Sequence, residues 1–309
     1  MNKIKLYNDY SSYLKSLYKE RIQKVSIDAG LTCPNRDGSK STGGCIYCDN
    51  ETFRPFYCTP EKSISRQITE GITFFSKKYK TQNYFAYFQS YSNTYTSISK
   101  LKEICEEALD NQKIIGIILA TRPDCIDEEK LQYLDKLAKK YYISIEYGIE
   151  TFNDKTLALI NRHHSCSDIS KAIAMTAGRG INIGVHLILG LPGEDYKMIM
   201  NNAKLLSKLP VNTIKLHQMQ IIKNTKIEEL FNKNPDLFID LSIDKYIDLL
   251  IDFIELLDKS IIIERFISEV PVDKLIYPKW GGLKNFEIVS KIEKRMVQRN
   301  SCQGSKADF

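Results

Sequence analysis

The sequence predicts an α/β protein built on a partial (β/α)6 TIM-like barrel with a C-terminal helix-rich extension. Two features point there. From residue 22 onward, short β-rich runs alternate with segments of helical period, the pattern of consecutive βαβ units. The composition, 43% apolar and 27% charged over 309 residues, is that of a globular chain with material for a large core. Crossovers between parallel strands are nearly always right-handed, so six successive units curl the sheet around a central space.

Strands are expected at 25–29, 84–89, 114–120, 143–149, 181–189 and 213–221. Between them lie amphipathic segments at 61–79, 97–112, 127–141, 167–178 and 194–209, each long enough for a crossover helix. After the sixth strand the pattern changes. Ile247, Leu250, Ile251, Ile254 and Leu257 form an apolar stripe, and Asp248, Asp252, Glu255 and Asp258 a solvated opposite face. A strand at 261–267, a turn at 278–282 and a basic helix at 285–299 follow. With no repeat or low-complexity linker, residues 1–225 are expected to form the barrel and its lead-in, and 226–309 an extension packed on it.

The net charge of +6 is mild but uneven: residues 271–309 hold eight Lys/Arg against four acids. That excess permits a polyanionic partner. The longest apolar run, near 114–120, is far short of the roughly 20 residues of a membrane-spanning helix. The N-terminus lacks the apolar region of a secretory signal, so a cytoplasmic protein with no membrane association is expected.

Three of the eight cysteines, Cys33, Cys45 and Cys48, have the spacing C-x11-C-x2-C in a Gly-rich polar loop directly after the first strand. Ligands collect at the C-terminal ends of barrel strands, so this loop is expected over the barrel mouth. Three chemistries suit it. The Cys-x-x-Cys pair alone is a redox dithiol; with Cys58 the set is a tetrahedral zinc site; three cysteines alone hold an iron–sulfur cluster with one iron open. Cys105 and Cys125 sit in apolar or helical surroundings and read as buried thiols.

Further segments agree in order with one family. The aromatic Tyr47 precedes Cys48; Leu119-Ala120-Thr121-Arg122-Pro123-Asp124 ends the third strand; Glu146-Tyr147-Gly148-Ile149-Glu150-Thr151 ends the fourth. Arg162 follows twelve residues later, and Gly184-Val185-His186-Leu187-Ile188-Leu189-Gly190-Leu191-Pro192-Gly193-Glu194 forms the fifth strand and turn. Over roughly residues 22–225 these resemble the radical S-adenosylmethionine (SAM) superfamily, in the branch of the Elongator catalytic subunit and oxygen-independent coproporphyrinogen oxidase. The wide cysteine gap, Phe88-Gln89-Ser90-Tyr91-Ser92-Asn93-Thr94-Tyr95, Lys215-Leu216-His217 and Pro278-Lys279-Trp280 resemble its YhcC/YtqA-like (MnmL-like) group.

The resemblance implies a 4Fe-4S cluster on Cys33, Cys45 and Cys48, with SAM chelating the open iron and yielding a 5′-deoxyadenosyl radical. It places Tyr47 beside the cluster, Glu150 at the ribose, Arg162 at the carboxylate, and the turn of Gly190, Pro192 and Gly193 near the adenine; the Gly-Gly-Glu motif that relatives use for the SAM ammonium is absent at the second strand's exit, where Gln89 offers a carbonyl acceptor instead. His186 stands where some relatives have Asp and reads first as a core histidine. The group is associated with converting the 5-carboxymethylaminomethyl side chain of the tRNA wobble uridine to 5-aminomethyl. That implies tRNA as partner and a reductant such as flavodoxin or ferredoxin. The rivals are radical SAM chemistry on a small molecule or tetrapyrrole, and a non-catalytic zinc or Fe–S RNA-binding protein. His217 and Lys223 lie near the sixth strand's exit, but no general acid or base is assigned.

Overall fold

Successive side chains of a strand point to opposite faces, and here the two faces differ chemically. The computed structural model describes residues 6–49, 54–78 and 82–307. Its main sheet is wholly parallel, in the order β1 (Ile22–Ile27), β2 (Asn83–Phe88), β3 (Ile114–Thr121), β4 (Tyr142–Glu150), β5 (Asn182–Leu189), β6 (Thr213–Gln218) and β8 (Ile262–Arg265). Val25, Ile27, Phe88, Ile117, Leu119, Ile145, Leu187 and Leu216 pack in the core beneath the crossover helices, each contributing about 1.5–3 kcal/mol of burial. The alternate positions carry Lys24, Tyr87, Glu146, His186, Lys215 and His217, whose polarity belongs to the concave face.

The crossovers are α2 (Ile64–Ser76), α3 (Ile98–Leu109), α4 (Glu128–Ala138), the pair α5 (Asp154–Leu159) and α6 (Cys166–Thr176), and α7 (Tyr196–Leu206). The helix expected at 61–79 begins at Ile64, because the Ser63 side chain caps it by accepting from the Arg66 N–H; Tyr79 lies outside the described residues. A helix not foreseen, α1 (Tyr10–Tyr18), precedes the sheet. Its Leu14 packs with Phe85, Tyr87, Ile118 and Ala120, against Ile22, Ile115 and Tyr142, so it covers the concave face where the strands begin.

The sheet has seven strands where six units were expected, since β8 pairs with β6. The segment expected as one strand at 213–221 is two. β6 stops at Gln218, whose side chain exchanges hydrogen bonds with the Ser268 backbone at 2.8 and 3.0 Å. After that break β7 (Ile221–Ile222) turns to pair antiparallel with β9 (Leu275–Tyr277).

Beyond it lie α8 (Lys226–Lys233), α9 (Ile243–Glu255) and α10 (Asn285–Gln298). The apolar stripe of α9 is buried as expected, but its acidic face is not simply solvated. Asp248 takes Arg295 at 2.7 Å, Asp252 takes Arg299, and the buried Glu255 takes Lys306 at 2.6 Å. The basic C-terminal segment therefore spends part of its charge on the fold. Trp280 is likewise engaged, donating to the Leu241 carbonyl at 2.8 Å and packing on Tyr246. Among the described residues no helix is long and apolar enough to cross a membrane.

A stability prediction arises at Glu194. Its carboxyl is buried against Thr151, and burial raises its pKa from 4.5 to about 7. The fold thus holds the protonated form, and stability is fully present below the unfolded value and falls as pH rises through about 7. Glu194→Gln removes that titration. It is expected to gain up to about 3 kcal/mol in urea unfolding at pH 8 and nothing at pH 4.

Candidate cofactor site

The cysteine loop leaves β1 at the C-terminal end of the sheet and is tied down on both flanks. The Asn35 amide donates to the carbonyls of Asn161 and Arg162 at 2.7 and 3.1 Å, and the Asn161 amide returns a bond to Gly44 O at 2.8 Å. The Ile46 N–H donates to Ile160 O at 3.1 Å, and the Ile46 carbonyl accepts from the Ile227 N–H at 2.9 Å. So held, Cys33, Cys45 and Cys48 all line one cavity of about 660 Å³ at the strand ends. Burial pushes the Cys48 thiol up to about 11, with Cys45 adding to the shift while Arg36 and Arg162 oppose it.

Cys58 is absent from that wall. It is fully buried near Asp28, Arg54 and Lys62, where burial pushes its thiol up to about 12. Among the described residues no three His, Cys, Asp or Glu side chains close around a single ion. The tetrahedral four-thiolate set is therefore not assembled. An iron–sulfur cube asks something different, since each thiolate takes its own iron.

Glu150 and Arg162 enter the same cavity, joined by an ion pair at 3.2 Å. Glu150 has φ of 65°, a conformation that costs a non-glycine residue about 1–2 kcal/mol, and the β4–β5 register shifts between Gly148 and Glu150. Glu150 keeps the parity of Glu146 and Gly148, so its side chain joins theirs on the cavity side of the strand's end. Arg162 donates to Gly148 O at 2.5 Å and to Cys45 Sγ at 3.5 Å, and its buried Nε has no partner. Gly148 is the residue that permits this: a Cβ there would stand 2.7 Å from Arg162 Nη2 and 2.8 Å from Glu150 Oε1.

Tyr47 and Gln89 line the cavity too. Gly190, Pro192 and Gly193 do not. The turn has the expected backbone, with φ of 86° at Gly190 and 78° at Gly193, but it serves packing. A Cβ on Gly190 would meet Leu241 at 2.9 Å, and the Gly193 N–H donates to Leu237 O at 2.7 Å. The segment between α8 and α9 covers the turn.

A buried charge network lies beneath. Glu146 takes Lys24 at 2.9 Å, Lys215 at 2.5 Å and His186 at 3.0 Å; Glu264 takes Lys24 at 2.7 Å and Lys215 at 3.2 Å. Burial opposes the Lys24 charge, yet Glu146 and Glu264 outweigh it and hold that ammonium above the usual lysine range. For Lys215, whose side chain is only 4% exposed, burial wins and lowers the pKa to about 8. His186, expected first as a core histidine, is only partly buried: it lines the cavity and is hydrogen-bonded to Glu146 at 3.0 Å, with burial keeping its pKa below the usual value.

A model of the radical SAM superfamily matches residues 36–206, and one of its C-terminal domain matches residues 211–298. The chain belongs to the radical SAM superfamily. It is 36% identical over 306 residues to the uncharacterized protein MJ0486 of Methanocaldococcus jannaschii, covering 97% of this chain and 92% of that one. It is 32% identical over 303 residues to the uncharacterized protein YtqA of Bacillus subtilis, covering 98% and 93%. A 141-residue stretch is 24% identical to a tRNA uridine(34) acetyltransferase of M. jannaschii, 45% of this chain and 25% of that protein. Among solved structures, Elp3 of Methanocaldococcus infernus has the same fold, with a TM-score of 0.70 at 16% identity over 91% of this chain and 64% of that one.

The cofactors of this superfamily are a 4Fe-4S cluster and SAM, and the cavity fits them on its own chemistry. Three thiols share a wall with two guanidinium groups that offset thiolate charge, Arg36 and Arg162, and one of these presents a buried, unpartnered N–H. Arg36 was missed from the sequence, as were the partners of Glu146. The available signal was the period of two: Lys24, Glu146 and Lys215 each interrupt an apolar strand at a position facing inward.

Proposed function

We propose that this chain is a radical SAM enzyme acting on the tRNA wobble uridine, converting the 5-carboxymethylaminomethyl side chain to 5-aminomethyl. The observation that supports the chemistry best is the meeting of Cys33, Cys45 and Cys48 with Glu150 and Arg162 in one cavity wall. When bound, the cluster and SAM supply a 5′-deoxyadenosyl radical that takes a hydrogen atom from the substrate. The three thiolates would hold the cluster. Arg162 would turn its free Nε toward the SAM carboxylate, Glu150 would accept from the ribose hydroxyls, and Gln89 would offer its amide oxygen to the ammonium. A flavodoxin or ferredoxin would deliver the electron.

The tRNA substrate is supported by the partial similarity to a tRNA uridine(34) acetyltransferase and by the sequence motifs of the YhcC/YtqA-like group. The C-terminal charge supports it less than composition suggests, because Lys274, Arg295, Arg299 and Lys306 are held by carboxylates of the fold. Nucleoside mass spectrometry of tRNA from a deletion strain tests the substrate. Accumulation of 5-carboxymethylaminomethyluridine is expected, and an unchanged wobble profile would reject tRNA in favour of a small molecule.

Gly148→Ala tests the SAM assignment. The added methyl displaces the Arg162–Glu150 pair without touching a thiol, so SAM affinity is expected to fall about ten-fold, roughly 1.4 kcal/mol, at unchanged iron content. Unaltered SAM binding would remove the pair from the cofactor site.

A further inference from the structure

Most cations of the cavity wall are matched by carboxylates; Arg36 instead lies at the Cys48 carbonyl and the Tyr91 ring, and Arg265 stands at the end of β8. Arg162 has Glu150, Arg122 has Asp124 and Arg54 has Asp28. Lys24 and Lys215 share Glu146 and Glu264. Arg265 lines this cavity and also a second one of about 330 Å³ that reaches Lys24 and Lys215, so it stands where the two meet. Among the described residues its guanidinium has one side-chain acceptor, His217 Nε2 at 3.1 Å, and its Nε is buried without a partner. Of the other acids of that wall, Asp49 pairs with Lys274, and Glu269 is exposed and accepts from the Asn285 N–H at 2.8 Å.

The charges do not balance. Three cations, Lys24, Lys215 and Arg265, face two carboxylates, Glu146 and Glu264, while His217 accepts through Nε2 and is neutral there. A buried N–H without an acceptor costs about 1–3 kcal/mol, and an uncompensated cation in a poorly solvated wall costs more. One incoming monoanion relieves both. The planar guanidinium fork suits a carboxylate, and a site inside the wall suits a group at the end of a side chain better than a phosphodiester flanked by two sugars.

The geometry points to Arg265, steadied by His217, as an anion-binding subsite whose ligand is a carboxylate on the substrate. This deepens the tRNA reading and rests on it for the identity of the carboxylate, the carboxymethyl group that the reaction removes. His217 is a positioning residue: its ring nitrogen fixes one arm of the fork and leaves Nε and the other arm for the ligand.

The test uses the full chain with its cluster reconstituted anaerobically, and one tRNA in two forms carrying 5-carboxymethylaminomethyluridine or 5-aminomethyluridine. The wild type is expected to bind the carboxylate-bearing form about ten-fold tighter. Arg265→Gln should erase that preference by weakening the carboxylate-bearing form alone, and Arg265→Lys should restore part of it. Equal weakening of both forms would give Arg265 to a phosphate or to the fold, and a preference that survives Arg265→Gln would overturn the subsite. If the wild type binds neither RNA, the tRNA reading fails and the subsite is tested alone. Sarcosine, a carboxymethylamine, should then protect Arg265 from phenylglyoxal in the absence of SAM, followed by mass spectrometry; no protection overturns it.

Discussion

Alanine in place of Cys33, Cys45 or Cys48 is expected to reduce iron and sulfide after anaerobic reconstitution from roughly four per chain to near none. Formation of 5′-deoxyadenosine from SAM should fall at least about a thousand-fold, as befits loss of the group that supplies the reaction's electrons. Cys58→Ala should behave differently. That thiol is fully buried outside the cavity, so its removal costs stability of about 1 kcal/mol as a small core truncation and leaves iron content intact. Iron analysis and product chromatography on the four variants decide between these outcomes. Loss of metal from Cys58→Ala would mean that a fourth thiolate ligates, and the open coordination position on which the chemistry depends would be gone.

The features most legible in the sequence are those that local pattern alone determines. The βαβ alternation survives in the structure because each strand's convex face needs apolar residues every second position, and Ile117, Leu119 and Ile145 supply them. The three cysteines share a cavity because the loop that carries them follows a strand end, where a curled parallel sheet opens. What the chain pattern did not show has a common cause as well. Gly190 and Gly193 were legible as a turn from their own chemistry, but the neighbour that fills the space beside Gly190 is Leu241, 51 positions along the chain. Likewise the basic helix that carries Arg295 and Arg299 was legible, but not that α9 supplies Asp248 and Asp252 to hold them. Arg36 looked like a loop residue, and only folding brings it to the Cys48 carbonyl and the Tyr91 ring. A pattern along the chain reports which face a residue occupies; it does not report which distant segment meets that face.

The largest stability effect is expected at Glu146. Its carboxylate sits between Lys24, Lys215 and His186 at 2.5 to 3.0 Å, and the side chain is 3% exposed. Glu146→Gln keeps the shape and removes the charge, leaving Glu264 to answer both ammonium groups and Arg265. Breaking a buried pair from one side typically costs about 3–5 kcal/mol, because the partner's charge stays buried. The loss should be partly reversed by adding Lys215→Met, which removes the stranded cation, so the double variant is expected to be more stable than Glu146→Gln alone. Urea unfolding of the two single variants and the double variant gives the coupling directly. The pH dependence has a fixed sign. The network holds the Glu146 carboxyl well below its usual range, so the stability it contributes is present above pH 4.5 and is lost as pH falls toward the folded value. Glu146→Gln should therefore flatten the acid limb of the wild-type curve. Strictly additive variants and an unchanged acid limb would mean that the network is solvated and carries little of the fold's stability.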